Sequence, residues 1–361
     1  MKIKTKFPTP QAGNFYAELR KRVNLDFAER GISINANRQM WFKGTLFLSL
    51  FFAIYFTIIF SGANLLILAL LAILLGIVCA FIGFNVCHDA IHGSFSSKKN
   101  VNSALSMIFH LVGANPYVWN ITHNIVHHTY TNISGHDEDI DIAPGLIRIC
   151  REEPLYPHQR FQQWYAFPLY GLASLSWVFR KDYKKFFQKR IGARENLHPR
   201  IEYFNLFFFK ALYYILLIAL PILLMNIAWW QVIIGFVFLH LGQGITMGLV
   251  FQLAHVVELT AFPLPNVQGN MEEAWAEHQM RTTANFSSDS ALASFFLGGL
   301  NMQIEHHLFP KICHVHYRHI AKIVRQTAKD YNIAYNENPT FLSALQSHFR
   351  MLKAMGAAPA N

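Results

Sequence analysis

Eight of the eighteen histidines occupy three short clusters and one single position, each close to a hydrophobic stretch. Neutral imidazole is a good ligand for iron and other divalent transition metals. Eight histidines are more than one ion can bind, so the sequence predicts a site for two metal ions. The candidate ligands are His88, His92, His123, His127, His128, His306, His307 and the single His255, with Gln303 heading the third cluster.

The spacing within the first two clusters is helical. Positions i and i+4 share one face of a helix, so we expect His88 and His92 to bind one metal together. The same spacing predicts that His123 and His127 share a metal. His128 lies about 100° further round the helix and is expected to reach the second ion.

The third cluster repeats this geometry, with Gln303, His306 and His307 at i, i+3 and i+4. The amide oxygen of Gln303 is a weaker donor than imidazole, so its contact with a metal stays open. His278, in the nearby string WAEHQMR, is open in the same way. The remaining histidines outside the hydrophobic stretches are expected to be interfacial or surface groups: His110, His136, His158, His198, His314, His316, His319 and His348.

The elements that must position these residues are membrane helices. The chain has 361 residues, of which 53% are hydrophobic and 14% charged. A spanning helix needs about 20 mostly apolar residues, and four stretches qualify, approximately 42–60, 65–86, 204–225 and 229–251. Short joins make them two hairpins. The predicted fold is an all-α integral membrane protein with a cytoplasmic helical cap that carries the histidine clusters. Its parts are an N-terminal segment 1–40, a membrane domain 41–330 and a tail 331–361.

Basic residues set the expected orientation. Neither hairpin join contains Lys or Arg, whereas thirteen lie between the second and third stretches. The positive-inside rule then places both termini and the central loop in the cytoplasm. The net charge of +10 is explained by this topology and by anionic lipid headgroups, without a nucleic-acid partner. We expect Lys210, near the start of the third stretch, to extend outward, and the aromatic stretch 161–179 to form a shallow helix rather than a fifth span.

The strings HDAIH at 88–92, HNIVHH at 123–128 and QIEHH at 303–307 resemble the histidine boxes of membrane fatty-acid desaturases. The Gln in the third string is similar to the front-end branch of acyl desaturases. The resemblance covers residues from about 40 to about 330. It implies an O2-dependent acyl desaturase with two iron ions, whose ligands would be the eight histidines named above.

Partners follow from the same resemblance. The substrate would be a fatty acyl chain carried on CoA, a lipid or a carrier protein. We find no haem-binding HPGG string, so we expect no fused haem and a separate electron donor: a ferredoxin, a rubredoxin-like protein or a cytochrome b5. A bacterial inner membrane is the expected location.

Carboxylates near the boxes are candidates to orient the ligands, because ligating histidines usually donate their other N–H to a carboxylate or carbonyl. We assign Asp89 and Asp139 to this role, whereas Glu138 and Asp141 fit a solvated loop equally well. The alternative function is a diiron membrane hydroxylase acting on an alkyl or lipid substrate. A metal transporter or sensor, or an inactive scaffold, fits the clustering less well.

Overall fold

The computed structural model describes residues 5–9, 14–137, 139–140, 143–191, 194–195 and 197–357. Helices dominate this part of the chain, and its strands form two short pairs, β1–β2 and β3–β4. The helices of the first half are α1 Phe15–Arg30, α2 Arg38–Phe60, α3 Leu65–His92, α4 Lys99–Met107, α5 (Pro116–Trp119, Asn120–His127 and His128–Tyr130), α6 Gln162–Gly171 and α7 (Ala173–Ser176, Trp177–Lys181 and Asp182–Phe187). Those of the second half are α8 Arg200–Leu224, α9 Trp229–His255, α10 Trp275–Thr282, α11 Ala291–Phe296, α12 Gln303–Leu308, α13 Tyr317–Asp330 and α14 Phe341–Ala357. The strands are β1 Arg190–Ile191, β2 Arg194–Glu195, β3 Asn285–Phe286 and β4 Glu337–Asn338.

Four helices are long and apolar enough to cross a membrane, namely α2, α3, α8 and α9, with mean hydropathy between 1.8 and 3.3. This confirms the predicted all-α membrane architecture. Helices α3 and α9 are longer than their apolar stretches, because polar cluster residues continue the same backbone. His255 is therefore the last residue of α9.

Local sequence explains where the first hairpin begins and ends. The side chain of Asn37 accepts a hydrogen bond from the backbone N–H of Met40, and Asn64 caps the next helix through Ile67 N–H. Gly93 ends α3 with φ at 73°, a left-handed conformation that glycine adopts without steric cost. The first histidine cluster thus occupies the final turn of a membrane helix, as its sequence predicted.

Glycines bring α3 and α9 into close contact. A Cβ added at Gly76 would lie 1.9 Å from the carbonyl oxygen of Leu239, and one at Gly242 would lie 2.4 Å from that of Ile73. Neither position tolerates a side chain without a shift of backbone. Small residues allow this approach of membrane helices, which fixes the end of α3 relative to the end of α9.

The aromatic stretch 161–179 forms α6 and the first part of α7, which pack along α9 and are too short to count among the candidate membrane spans of the described residues. A Cβ at Gly244 would meet the carbonyl of Gly171 at 2.4 Å. Lys210 was predicted to extend outward, and this was wrong. Its Nζ is buried, 2.8 Å from Asp182 and 2.7 Å from the carbonyl of Gly113, because a buried carboxylate is its partner inside the bundle.

The helical cap surrounds the third histidine cluster. Leu19 and Val23 of α1 are fully buried in one cluster with Ile320 and Val324 of α13. In the parallel pair β3–β4, Asn285 is opposite Glu337 and Phe286 is opposite Asn338. The terminal helix α14 packs on α6 and α9. Both ends of the described chain are therefore packed against the region that carries the clusters.

Candidate metal centre

All eight predicted histidines converge on one buried site. They come from the end of α3, the middle of α5, the end of α9 and from α12, and none is more than 6% exposed. Their ring nitrogens form overlapping groups, and within each group the atoms lie within 4.8 Å of one another. The groups are His88 with His92, His123 and His306; His127 with His255 and His307; and His128 with His306 and His307.

The grouping suits two neighbouring ions, but it differs from the sequence-based assignment within α5. His123 groups with the α3 histidines, whereas His127 groups with His255, so the metal expected to be shared by His123 and His127 stays a prediction. Ring inclination does not decide the grouping, because the rings of His128 and His307 are also inclined at only 25° and belong to one group.

Non-standard helical turns lie in the two helices that carry the first and second boxes. Residues Gly83–Cys87 of α3 and Asn120–His127 of α5 adopt the wider π-helical hydrogen-bonding pattern. Such segments are rare and frequently occur at functional sites. The sequence analysis assumed ideal α-helical spacing, and these turns change the angular spacing of the histidines within α5.

Protein groups hold one nitrogen of most of these rings. The Nδ1 atoms lie 3.1 Å from Asp139 Oδ2 for His123, 2.8 Å from Asp137 Oδ2 for His127, 2.8 Å from Gln279 Oε1 for His307, 3.2 Å from the Tyr317 hydroxyl for His306 and 3.4 Å from the Thr282 carbonyl for His255. A histidine that donates Nδ1–H presents a lone pair at Nε2. These contacts orient Nε2 toward the common centre, which is the arrangement that metal-binding histidines use.

The opposite nitrogens of most of these rings lack protein partners; the exceptions are the Nε2 atoms of His123 and His128, which lie 3.3 Å apart. Among the described residues, no hydrogen bond reaches the buried Nε2 atoms of His88, His92, His127, His255, His306 and His307. An unsatisfied buried polar atom costs about 1–3 kcal/mol. Several such atoms aimed at one centre fit bound cations, and their donor set fits iron.

Electrostatics keep most of these rings neutral. Burial, followed by the neighbouring histidines, lowers the pKa of His306 and His307 well below the ordinary value. Burial also disfavours the charge on His127, but the Asp137 carboxylate outweighs that effect and raises its pKa. Neutral imidazoles can bind metal without first losing a proton, and the nearby carboxylates offset the positive charge of bound ions.

The two carboxylates assigned from the sequence have different positions. Asp139 contacts His123, as described above. Asp89 contacts no candidate ligand, because its carboxylate pairs with His314 and accepts a 3.0 Å hydrogen bond from Ser94. His314 is fully buried and lies 2.9 Å from Lys43 Nζ, so its prediction as an interfacial or surface group was wrong. This Lys43–His314–Asp89 chain joins α2 to the cap beneath the first box.

Asp137 was not assigned in the sequence analysis, although it holds His127. Its signal was its position ten residues after His127 in an acidic segment. This segment has four carboxylates, at positions 137, 138, 139 and 141, and the sequence alone could not show which of them would contact a histidine. Glu138 and Asp141 lie outside the described residues.

The two residues left open by the sequence border the site. Gln303 is buried beside His255, and its Nε2 donates to the carbonyl of Leu300 at 3.1 Å. Its amide oxygen is then the atom that could face His255 or a metal. His278 bonds the carbonyl of Thr131 at 2.8 Å through Nε2 and belongs to none of the convergent groups.

Comparison with known proteins agrees with this arrangement. Residues 63–339 match the family model described as fatty acid desaturase. The chain is 34% identical to a sn-1 linoleoyl-lipid 6-desaturase of Synechocystis sp., covering 96% of this chain and 97% of that protein. It is 33% identical to an acyl-lipid (8-3)-desaturase of Physcomitrium patens, covering 95% of this chain and 72% of that protein. It is 31% identical to a sn-1 linoleoyl-lipid 6-desaturase of Arthrospira platensis, covering 96% and 93%. The chain thus belongs to the fatty acid desaturase family, in its front-end acyl-lipid branch, and is an acyl desaturase.

Proposed function

We propose that this enzyme introduces a cis double bond into a fatty acyl chain at a diiron centre held by the eight histidines, with O2 as co-substrate. The observation that carries the proposal is the set of buried Nε2 atoms that converge without protein partners. One group contains His88, His92, His123 and His306 and another contains His127, His255 and His307; these groups share no residue, which supports two ions rather than one. Two bound iron ions would supply the O2 activation that breaking an unactivated C–H bond requires.

The protein's own residues prepare the site for that reaction. Asp137, Asp139 and Gln279 hold the Nδ1 side of three rings and so fix the direction of the opposite nitrogens. Trp119 stacks on His123 with centroids 4.1 Å apart, which covers one ring face and helps to exclude water. Oxidative chemistry at a metal requires that the protein hold the ligands rigidly and keep water away from them.

The overall balance requires an electron donor. Conversion of CH2–CH2 to CH=CH removes two hydrogens with two electrons, whereas reduction of O2 to two waters consumes four electrons and four protons. The other two electrons and two protons must be supplied from outside the acyl chain. We propose that a separate ferredoxin, rubredoxin-like protein or cytochrome b5 delivers the electrons.

A lipid-linked acyl chain is the proposed substrate. The names of the Synechocystis and Arthrospira relatives specify a linoleoyl-lipid and position 6. Both relatives align along almost their whole length, which supports transfer of the substrate class to this chain. The distribution of basic residues supports a cytoplasmic active site with both termini on the same side, and a bacterial inner membrane is the proposed location.

Fatty-acid methyl ester analysis of a host expressing the chain tests the proposal. Linoleoyl and saturated substrates are supplied separately, with a compatible electron donor. A new double bond should form with the wild type and with His158→Ala, a control at an exposed histidine, but not with His127→Ala. A hydroxylated product would instead support the diiron hydroxylase. Absence of any product in the presence of folded, iron-loaded protein would contradict the acyl-chain proposal.

A further inference from the structure

Two cavities lie along α9 at different distances from the histidines. The near cavity encloses about 90 Å³ and is bordered by Trp119 and by Met247 and Phe251 of α9. Trp119 stacks on His123, and the Phe251 ring lies 6.2 Å from the same imidazole. The near cavity therefore adjoins the wall of the candidate metal centre.

The far cavity is larger and almost wholly apolar. It encloses about 210 Å³ between α2, α3, α8 and α9. Phe236 and Leu239 border its inner end, and Gly235 forms part of its wall. An apolar space among membrane helices is suited to a hydrocarbon chain rather than to water.

His240 lines neither cavity but contacts one residue that borders each. Its Nδ1 lies 2.9 Å from the hydroxyl of Ser174, which borders the near cavity, and its ring packs against Phe236 of the far cavity at 4.5 Å. Its Nε2 lies 3.1 Å from the Tyr213 hydroxyl. Ser174 also donates to the His240 backbone carbonyl at 2.8 Å. The side chain is thus fully buried and held from both sides in a fixed position.

His240 is a polar residue inside the long apolar helix α9, and its partners Ser174 and Tyr213 come from two other helices. Polar groups within a membrane are costly and usually serve a cavity or a partner helix. Helix geometry places His240 about 22 Å along α9 from His255. This distance is comparable to the length of an extended fatty acyl chain.

We propose that His240, held by Ser174 and Tyr213, ends the acyl-chain site and so limits the length of chain that the enzyme accepts. We call His240 with Ser174 and Tyr213 the partition. The far cavity would be a continuation of the acyl-chain site, and the partition would close it in the wild type. The inference rests on the proposed desaturase function, and it adds the residue that determines chain length. A chain in the near cavity would have its methyl end against Ser174, whose hydroxyl lies 2.9 Å from His240 Nδ1.

Product profiling with straight-chain acyl substrates of increasing length tests the partition. His240→Ala should join the cavities and raise the ratio of long to short products by roughly tenfold or more, because one methylene in an apolar site is worth about 10- to 200-fold. His240→Asn keeps a polar group and should give a smaller shift. Gln243→Leu is the matched control, since Gln243 is also buried in α9 but bonds the carbonyl of Val112, which borders neither cavity, whereas His240 contacts Ser174 and Phe236, which do.

Gly235 supplies an independent test. A Cβ added there would meet nothing within 4 Å, so Gly235→Leu can fill the far cavity without disturbing the helix. In the wild-type background Gly235→Leu should leave the product range unchanged, and in the His240→Ala background it should reverse the shift. A change of range caused by Gly235→Leu alone would overturn the partition, and this test holds even if His240→Ala fails to fold.

Thermal melting of the purified protein with free fatty acids of increasing length separates this inference from the proposed reaction. The melting temperature should rise with the length of the added fatty acid, and this rise should stop at a shorter chain in the wild type than in His240→Asn. If the wild type and His240→Asn differ in this way but form no desaturated product, the result would support the partition and contradict the proposed reaction. Desaturated product with identical length profiles in the wild type and both His240 variants would refute the partition alone.

Discussion

The contact between Asp137 and His127 offers a quantitative test of how the protein supports the metal site. Both side chains are buried, with Oδ2 2.8 Å from Nδ1. The same carboxylate accepts the backbone N–H groups of Asn132 at 3.0 Å and Asp139 at 3.1 Å. Asp137→Asn removes the negative charge and leaves only one acceptor oxygen for these three donors.

The expected loss is a weaker affinity for iron. Removing a group that orients a metal-binding histidine typically costs 10- to 100-fold in affinity, which is about 1.4–2.8 kcal/mol. Because Asp137→Asn also loses a backbone contact that shapes the loop holding Asp139, we expect the upper end of this range. Asp137→Ala removes all three acceptor contacts and should lower the affinity for iron further.

Competition with a chelator of known affinity, followed by iron analysis of the protein, measures the effect. Asp182→Asn is the matched control, because Asp182 is also a buried carboxylate that pairs with a base, Lys210, and accepts a backbone N–H, that of Asn115, at 2.9 Å. It should leave iron affinity close to the wild-type value. Equal iron affinity in Asp137→Asn and the wild type, within about twofold, would refute the proposed role of Asp137.

Three further outcomes are expected. Removing iron with a chelator should lower the melting temperature, since a ligand at a hundred times its Kd stabilises the folded state by about 2.7 kcal/mol; an unchanged transition would contradict a folded-state metal site. Asp182→Ala should cost about 3–5 kcal/mol in unfolding free energy, because it leaves Lys210 charged and buried without its carboxylate; denaturation measurements showing less than about 1 kcal/mol would contradict the buried ion pair. Burial raises the pKa of Glu305 to about 7 from 4.5, so its contribution to stability is present below pH 4.5 and is lost as pH rises through 7. Melting curves of Glu305→Gln should show less decline than the wild type across that interval, and an identical decline would exclude Glu305 as its source.

Sequence patterns predicted the parts of the fold that repeat along the chain. Apolar runs of sufficient length predicted the four long helices. The close contact of α3 with α9 at Gly76 and Gly242 was not predicted, because it depends on which helices are neighbours. The burial of Lys210 was missed because its partner Asp182 is distant in sequence and belongs to a separate helix.

For the candidate site, too, local features were predicted from the sequence and contacts between distant residues were not. Spacing and hydrophobic context selected all eight histidines that converge, because ligand type and helical position are local properties. Their division among three groups was not predicted, since it depends on how four separate segments are placed relative to one another. The Lys43–His314–Asp89 chain was also missed, because contacts across more than 200 residues leave no periodic signal in one sequence.

Iron content per chain of the purified, iron-reconstituted protein is the measurement that addresses the proposed diiron centre most directly. Elemental analysis should find two iron ions per chain in the wild type, with a reduced content in His127→Ala and an unchanged content in His158→Ala. One iron ion per chain in fully active enzyme, or full occupancy in His127→Ala, would contradict a two-iron site built from these histidines.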